Sequence, residues 1–577
     1  MTQHPAGIEE RPVWFGPEGR PLAGWITAPG LGAARGGVVL CPTLGREARA
    51  GRRALRALAR ALAASGLVAL RFDYDGTGDS GGAFEDPERD VAWTSSVTAA
   101  VDLLRDSGLG WVGGIGIRLG ATVLGAAMER AELGLDAAVF WDPCESGRSY
   151  LREQGALESL RREVAIAAGD GSVETAEHVF PPEMAAELRA LRVPDLARHS
   201  VAKRVLIVSR VDRPVSERLR GAFGEAHVTW RTTTEQAALL GVDPLFARMP
   251  DATIDVIVDW LLRSVPEPGE YHEPKDAFDV DVDIEVDATT VHERCVRIGD
   301  RSLFGIITEP TAGAVGPLLI LLNVSNEDHT GPSRLWVELA RTWATEGLRS
   351  IRFDLTGVGD SPLADGQPQE PLYERPWMDD MAAVARELSP AAPSDVVFVG
   401  LCSGAFLAAE GARTLAARGV CLINPPVGID FLHGVTALEA SSRPVVPRLA
   451  PLLKQFALRL RWVSVGALAA LRLGFPRTFG RDVLGELVDA GTEVFVLASR
   501  EDLSPYPSRP RLERFFSRRL VEPRNYRVTF VPGLDHSMHA SVGRARTIAL
   551  LDAHVRNRYV EHSPQMQQGD HDPKEQP

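Results

Sequence analysis

A chain of 577 residues exceeds what one hydrophobic core ordinarily organises, so roughly two to four domains are expected. With 45% hydrophobic and 24% charged residues it is neither disordered nor fibrous in composition. A net charge of −14 leaves nothing to attract phosphate over a broad surface, which argues against a nucleic-acid partner.

The N-terminal residues MTQHPAGIEERPVWF carry no basic segment leading into an apolar run, so no signal peptide is expected. No apolar run reaches the roughly 18–20 residues a membrane-spanning helix needs. The five cysteines (Cys41, Cys144, Cys295, Cys402 and Cys421) are odd in number, scattered and without metal spacing. They read as reduced thiols in a cytoplasmic protein, with no metal and no cofactor expected.

Taken in chain order, VVLCP (38–42) predicts a buried parallel strand, and RRALRALARALAASG the helix after it. GLVALRFDYDGTGDS (66–80) predicts a second buried strand ending in a Gly-rich turn. It recurs as GLRSIRFDLTGVGDS (347–361), placing Arg71 on Arg352 and Asp79 on Asp360. Around this anchor LLILLN (318–323) matches VVLCP, VVFVGLCSGA (396–405) matches VGGIGIRLGA (112–121), and VFVLASRED (494–502) matches VLIVSRVD (205–212). One repeat near 280 residues long means duplicated domains. Strand, loop and helix alternating throughout each copy predicts an α/β fold: a mostly parallel sheet flanked by helices, present twice.

The stretch SVPEPGEYHEPKDAFD is rich in proline and acid, which sets the expected division. One domain spans 1–264, a linker 265–279, and a second domain 280–560. A polar tail, 561–577, is expected to be disordered. Each half also carries a mainly helical insertion, at about 144–200 and 427–485; the second is apolar with interspersed arginines and reads as a cap.

G-x-S-x-G between a strand and a helix marks a sharp elbow that lifts a nucleophile above a sheet edge, its glycines relieving the crowding. The second half reads Gly400-Leu401-Cys402-Ser403-Gly404, with VVFV before it and AFLAAEGARTLAARG after it. Cys402 is therefore the candidate nucleophile, and the helix N-terminus favours its thiolate. Partners follow in the order acid, then base: Asp502 after EVFVLA, with Glu501 as fallback, and His536 in VPGLDHSMH, preferred over His539. The backbone N–H of Ser403 and one from Val324 or Ser325 are the expected oxyanion-hole donors. His329 stands near that loop, either lining the substrate entrance or serving only the loop.

The first half reads Gly116-Ile117-Arg118-Leu119-Gly120 at the elbow. A guanidinium cannot attack a carbonyl. Asp212 keeps the acid position, whereas Pro244 stands where His536 does. This half is expected to be inactive as a triad enzyme. Arg118 either binds an anion or pairs internally with an acid such as Asp142.

These residues resemble the α/β-hydrolase superfamily over nearly the whole chain. GIRLGA with WDPCESGRSYL (141–151), and GLCSGA in the second half, are similar to two types of hydrolase associated with exosortase and exopolysaccharide gene clusters. The cysteine type also resembles thioesterases and acyltransferases of natural-product assembly lines. The resemblance implies an acyl-transfer enzyme, thioesterase or acyltransferase, working through an acyl-Cys402 intermediate on a small-molecule or carrier-bound thioester or ester. An acyl carrier protein or coenzyme A is the donor it suggests. An ester or lactone hydrolase and a non-catalytic binding scaffold are the competing readings.

Overall fold

The computed structural model describes residues 7–30, 33–161, 171–175, 177–193, 202–213, 215–223, 228–242, 244–267, 269–270, 280–325, 327–364, 366–367, 376–425, 483–499, 525–535, 538 and 541–560. The chain divides into two compact units, Met1–Thr290 and Val291–Pro577.

In the first unit the apolar runs become strands because each is buried on both faces, which only a sheet covered by helices permits. The strands are β1 (Ile8–Phe15), β2 (Leu22–Pro29), β3 (Gly36–Cys41), β4 (Leu67–Phe72), β5 (Val112–Ile117), β6 (Ala137–Trp141), β7 (Val205–Arg210) and β8 (Val228–Thr233). They lie in the order β1-β2-β4-β3-β5-β6-β7-β8. The β1-β2 hairpin is antiparallel and joins β4 antiparallel, while β4 to β8 run parallel. Helices α1 (Gly45–Ala64), α2 (Arg89–Asp106) and α3 (Leu119–Arg130) supply the crossovers. The insertion contributes α4 (Gly147–Arg161) and α5 (Pro182–Ala190). Within the expected linker, Gly269–Glu270 forms a short antiparallel pair with Ala33–Ala34 of the same unit.

The second sheet contains β9 (Asp281–Val286), β10 (Thr289–Ile298), β11 (Leu303–Pro310), β12 (Leu318–Leu321), β13 (Ser350–Phe353), β14 (Val396–Leu401), β15 (Gly419–Ile423), β16 (Glu493–Ser499) and β17 (Tyr526–Val531). Its order is β9-β10-β11-β13-β12-β14-β15-β16-β17, the first unit's order with one strand added in front. Helices α6 (Leu335–Thr345), α7 (Pro376–Leu388), α8 (Ser403–Leu415) and α9 (Ser541–Val555) pack about it.

Registers agree as well as order. Val38 pairs with Ala69 and Leu319 with Ser350, so the repeat offset is 281 on both strands of the pair. Ile117 faces Trp141 as Leu401 faces Ile423. The turn that the repeat anchor encodes explains its constancy. Asp73 and Asp354 accept the backbone N–H of Asp79 (3.1 Å) and Asp360 (2.9 Å). Ser80 and Ser361 donate to the carbonyls of the same two aspartates and accept from Ala23 and Phe304. Gly78 and Gly359, at φ +48° and +51°, have no room for a Cβ beside the aspartate carboxylates. Buried Trp93 and Trp377 each donate their indole N–H to this turn, at the carbonyls of Asp75 and Thr356. The repeat is thus a hydrogen-bonded turn that follows β4 in one sheet and β13 in the other, held at a net value of about 1 kcal/mol per bond.

A buried carboxylate is also repeated. Glu293 on β10 lies fully buried between Arg341 (3.0 Å) and Arg352 (2.9 Å). Burial pushes its carboxyl up, but the two guanidinium groups outweigh that and bring it to about 2. Glu10 on β1 meets Arg56 and Arg60, with Arg71 at 3.9 Å. Burial likewise opposes its ionisation and Arg56 leads the charges that lower its pKa.

Candidate functional site

Both elbows fold as the glycine spacing requires. Arg118 sits at φ 54°, ψ −119° and Cys402 at φ 52°, ψ −117°, a conformation that costs energy for any residue with a side chain. Arg118 N–H donates to Trp141 O (3.0 Å) and Cys402 N–H to Ile423 O (2.9 Å), tying each tip to the next strand. A Cβ on Gly404 would meet Asn323 O at 2.6 Å, and one on Gly120 would meet the carbonyls of Cys41 and Pro42. The loop after the central strand therefore presses against the elbow helix in both units.

The surroundings of the two tips differ. Cys402 is partly exposed and begins α8. Ser403 is 3% exposed, and its Oγ accepts the N–H of Ser325 at 2.6 Å, so that amide points at the hydroxyl of its neighbour. Val324 is buried one residue earlier in the same loop. His329 does not line an entrance: it is 1% exposed, with Nδ1 2.9 Å from Asp354 Oδ2 and its N–H on Asp354 Oδ1 at 2.7 Å. Asn323 adds a further bond to Asp354 (3.1 Å), so this carboxylate fastens the loop that carries Val324 and Ser325.

Asn424, absent from the sequence reading, follows β15 directly, at φ 44° and 5% exposure. Its Oδ1 accepts Ser499 N–H (2.8 Å) and its Nδ2 donates to Asp535 O (3.0 Å). The aligned position in the first unit, Asp142, is the signal that marks it. Asp502, Glu501, His536, His539 and nearly all of the 427–485 cap lie outside the described residues.

Arg118 is only 2% exposed and is enclosed by acids. Its guanidinium reaches Glu47 (3.1 Å), Asp142 (3.5 Å) and Glu153 (2.8 Å). Glu47 comes from the first turn of α1, Glu153 from the inserted α4, and neighbouring Gln154 also donates to Glu47 (3.1 Å). The internal pairing named as one alternative is what the first unit contains; three carboxylates occupy the place an anion would need. Burial pushes Asp142 up to about 6 against the pull of Arg118 and Arg210. Burial also pushes the Cys144 thiol well above its ordinary value. Asp212 is half-exposed and turned to Arg210 (2.6 Å). Pro244 opens a short 3-10 turn, Pro244–Phe246.

Residues 328–550 match the model of the alpha/beta hydrolase family. This part of the chain has the alpha/beta-hydrolase fold. Solved structures similar to the chain include the proline iminopeptidase of Mycobacterium smegmatis, at 18% identity over 46% of this chain and 98% of that one, TM-score 0.31. A hydrolase from Agrobacterium vitis matches at 20% identity over 45% and 99%, TM-score 0.32. The thioesterase domain from the curacin biosynthetic pathway matches at 16% identity over 48% and 98%, TM-score 0.28. No curated protein matches the sequence. Among the described residues no helix is long and apolar enough to cross a membrane, and no cluster of His, Cys, Asp and Glu is placed to hold a metal.

Proposed function

We propose that the second unit is an acyl-transfer enzyme, thioesterase or acyltransferase, in which Cys402 attacks the carbonyl of an ester or thioester. The observation that carries this reading is the elbow: a partly exposed thiol at φ 52°, ψ −117°, at the start of α8. No folding requirement places a cysteine in that strained position. His536 takes the thiol proton while Asp502 orients the ring; as the C–O or C–S bond of the donor breaks, His536 returns the proton to the departing alcohol or thiol, leaving an acyl-cysteine that water, an alcohol, an amine or a thiol then releases. The developing oxyanion takes the N–H of Ser403. Ser325 N–H is directed at Ser403 Oγ, which favours Val324 over Ser325 as the second donor in this reading. Exchange between thioesters is close to thermoneutral, so a cysteine nucleophile suits donors held on coenzyme A or a carrier protein. The first unit, with Arg118 in a closed charge cluster, serves as a non-catalytic partner domain.

The test is intact-protein mass spectrometry after incubation with short-chain acyl thioesters of N-acetylcysteamine. A mass increase of one acyl group in the native chain, lost in Cys402→Ala, supports the reading. An unmodified native chain whose Cys402 is also inert to iodoacetamide near neutral pH contradicts it.

A further inference from the structure

We infer that Asn424 is a positioning residue for the catalytic loop of the second unit, an inference that rests on the cysteine-triad reading above. Three segments converge on this side chain. Ile423, its predecessor, accepts the N–H of Cys402 (2.9 Å). Its Oδ1 holds Ser499 N–H at the end of β16, the strand that leads to Asp502. Its Nδ2 holds the carbonyl of Asp535, the residue immediately before His536. Ser499 adds a second link to the same loop, its hydroxyl donating to Leu534 O. One amide thus ties the end of the strand that precedes the proposed acid to the residue that precedes the proposed base, and it follows the strand that anchors Cys402.

The first unit separates this role from folding. Asp142 stands at the same place with φ 45°, and its N–H donates to Val208 O (2.7 Å) as Asn424 N–H does to Leu497 O (2.8 Å). The backbone path therefore holds without the amide side chain. Asp142 instead faces Arg118 and Arg210, and Arg210 occupies the position of Ser499. Where the elbow tip is an arginine, the bridge is absent; where it is a cysteine, the bridge is complete. An aspartate in place of Asn424 keeps an acceptor for Ser499 N–H but has no donor for Asp535 O, so two oxygens face each other and the loop is released.

The experiment is alkylation of Cys402 by iodoacetamide at pH 6 and pH 9, read by peptide mass spectrometry in the full chain, for the native protein, Asn424→Asp and Asn424→Ala. A base held in place gives the native thiol a high rate already at pH 6. Misplacing it by about 1 Å lowers that rate by roughly 10- to 100-fold in both variants, with little change at pH 9. Native rates at both pH values in the variants overturn the inference while leaving the triad intact. A native Cys402 with no reactivity at pH 6 overturns the triad reading itself. Thermal melting accompanies each variant. Should Asn424→Asp melt early, Asn424→Ala, which removes both side-chain links without setting two oxygens against each other, is read in its place: a pH 6 rate reduced at least severalfold supports the inference, and a native rate overturns it.

Discussion

The chain turns through Arg118 and Cys402 along almost the same backbone path, with the same tie to the neighbouring strand and the same crowded glycines. What lies over the two tips is different. In the first unit α1 begins at Gly45, so its first turn brings Glu47 onto the guanidinium, and the inserted α4 adds Glu153 and Gln154. In the second, the corresponding helix begins only at Leu335, and the residues before it form a loop tied down by Asn323, His329 and Asp354. The difference teaches that the elbow is a property of the fold, retained where no nucleophile remains. In the proposed function, reactivity depends on the partial exposure of Cys402 and on the orientation of its partners.

The largest effect that would break this comparison lies at the tips. Cys402→Ala should reduce acyl turnover by on the order of 10⁴-fold or more, whereas Arg118→Met should leave turnover near native. Arg118→Met should instead destabilise the first unit by about 3–5 kcal/mol, because it strands Glu47, Glu153 and Asp142 in a buried site without their cation. Steady-state assays and calorimetry on both variants decide it; a turnover collapse in Arg118→Met with unchanged melting would refute the assignment of roles.

Next come the repeated buried carboxylates. Glu293 is completely enclosed while the Glu10 side chain keeps about a tenth of its exposure. Glu293→Gln should therefore cost about 3–5 kcal/mol, and Glu10→Gln less, since water screens part of what is lost. Glu293 is held below its ordinary 4.5, at about 2, so the stability it contributes is present above pH 4.5 and drains away as pH falls through that window. Acid unfolding followed by hydrogen exchange should show β10 and β13 losing protection over this range in the native chain. In Glu293→Gln the pH dependence should be smaller.

The smallest effect concerns Asp142 against Asn424. Asp142 is raised from 3.8 to about 6, so its neutral form stabilises the first unit below pH 3.8, and that contribution is lost as pH rises through about 6. Asp142→Asn should flatten the pH dependence of amide protection in β6 between pH 4 and 6. An unchanged slope would show that the proton is held elsewhere in the cluster.

Much of this was legible in the residues. The strands could be read because parallel, doubly buried strands are continuous apolar runs such as VVLC and VVFV, and the repeat aligned them without reference to a structure. The elbow could be read because only glycine fits either side of the tip. Glu47 and Glu153 could not be assigned to Arg118, since one sits on a helix and the other in an insertion, and neither has a register to fix it across the sheet. His329 was ambiguous for the same reason: its partner Asp354 belongs to the repeat anchor, whose carboxylate the pattern marked as constant without saying what it binds. Asn424 stood in plain view opposite Asp142, but a single amide after a strand carries no periodic signal.

In the proposed function, the Cys402 thiol, raised on the elbow, forms a covalent acyl intermediate. The most direct measurement is peptide mapping of the chain quenched in acid during reaction with an acyl thioester. An acyl group is expected on the peptide containing Cys402, hydroxylamine-labile and absent from Cys402→Ala. Substrate consumed at the native rate with Cys402 unmodified, or by Cys402→Ala itself, would contradict it.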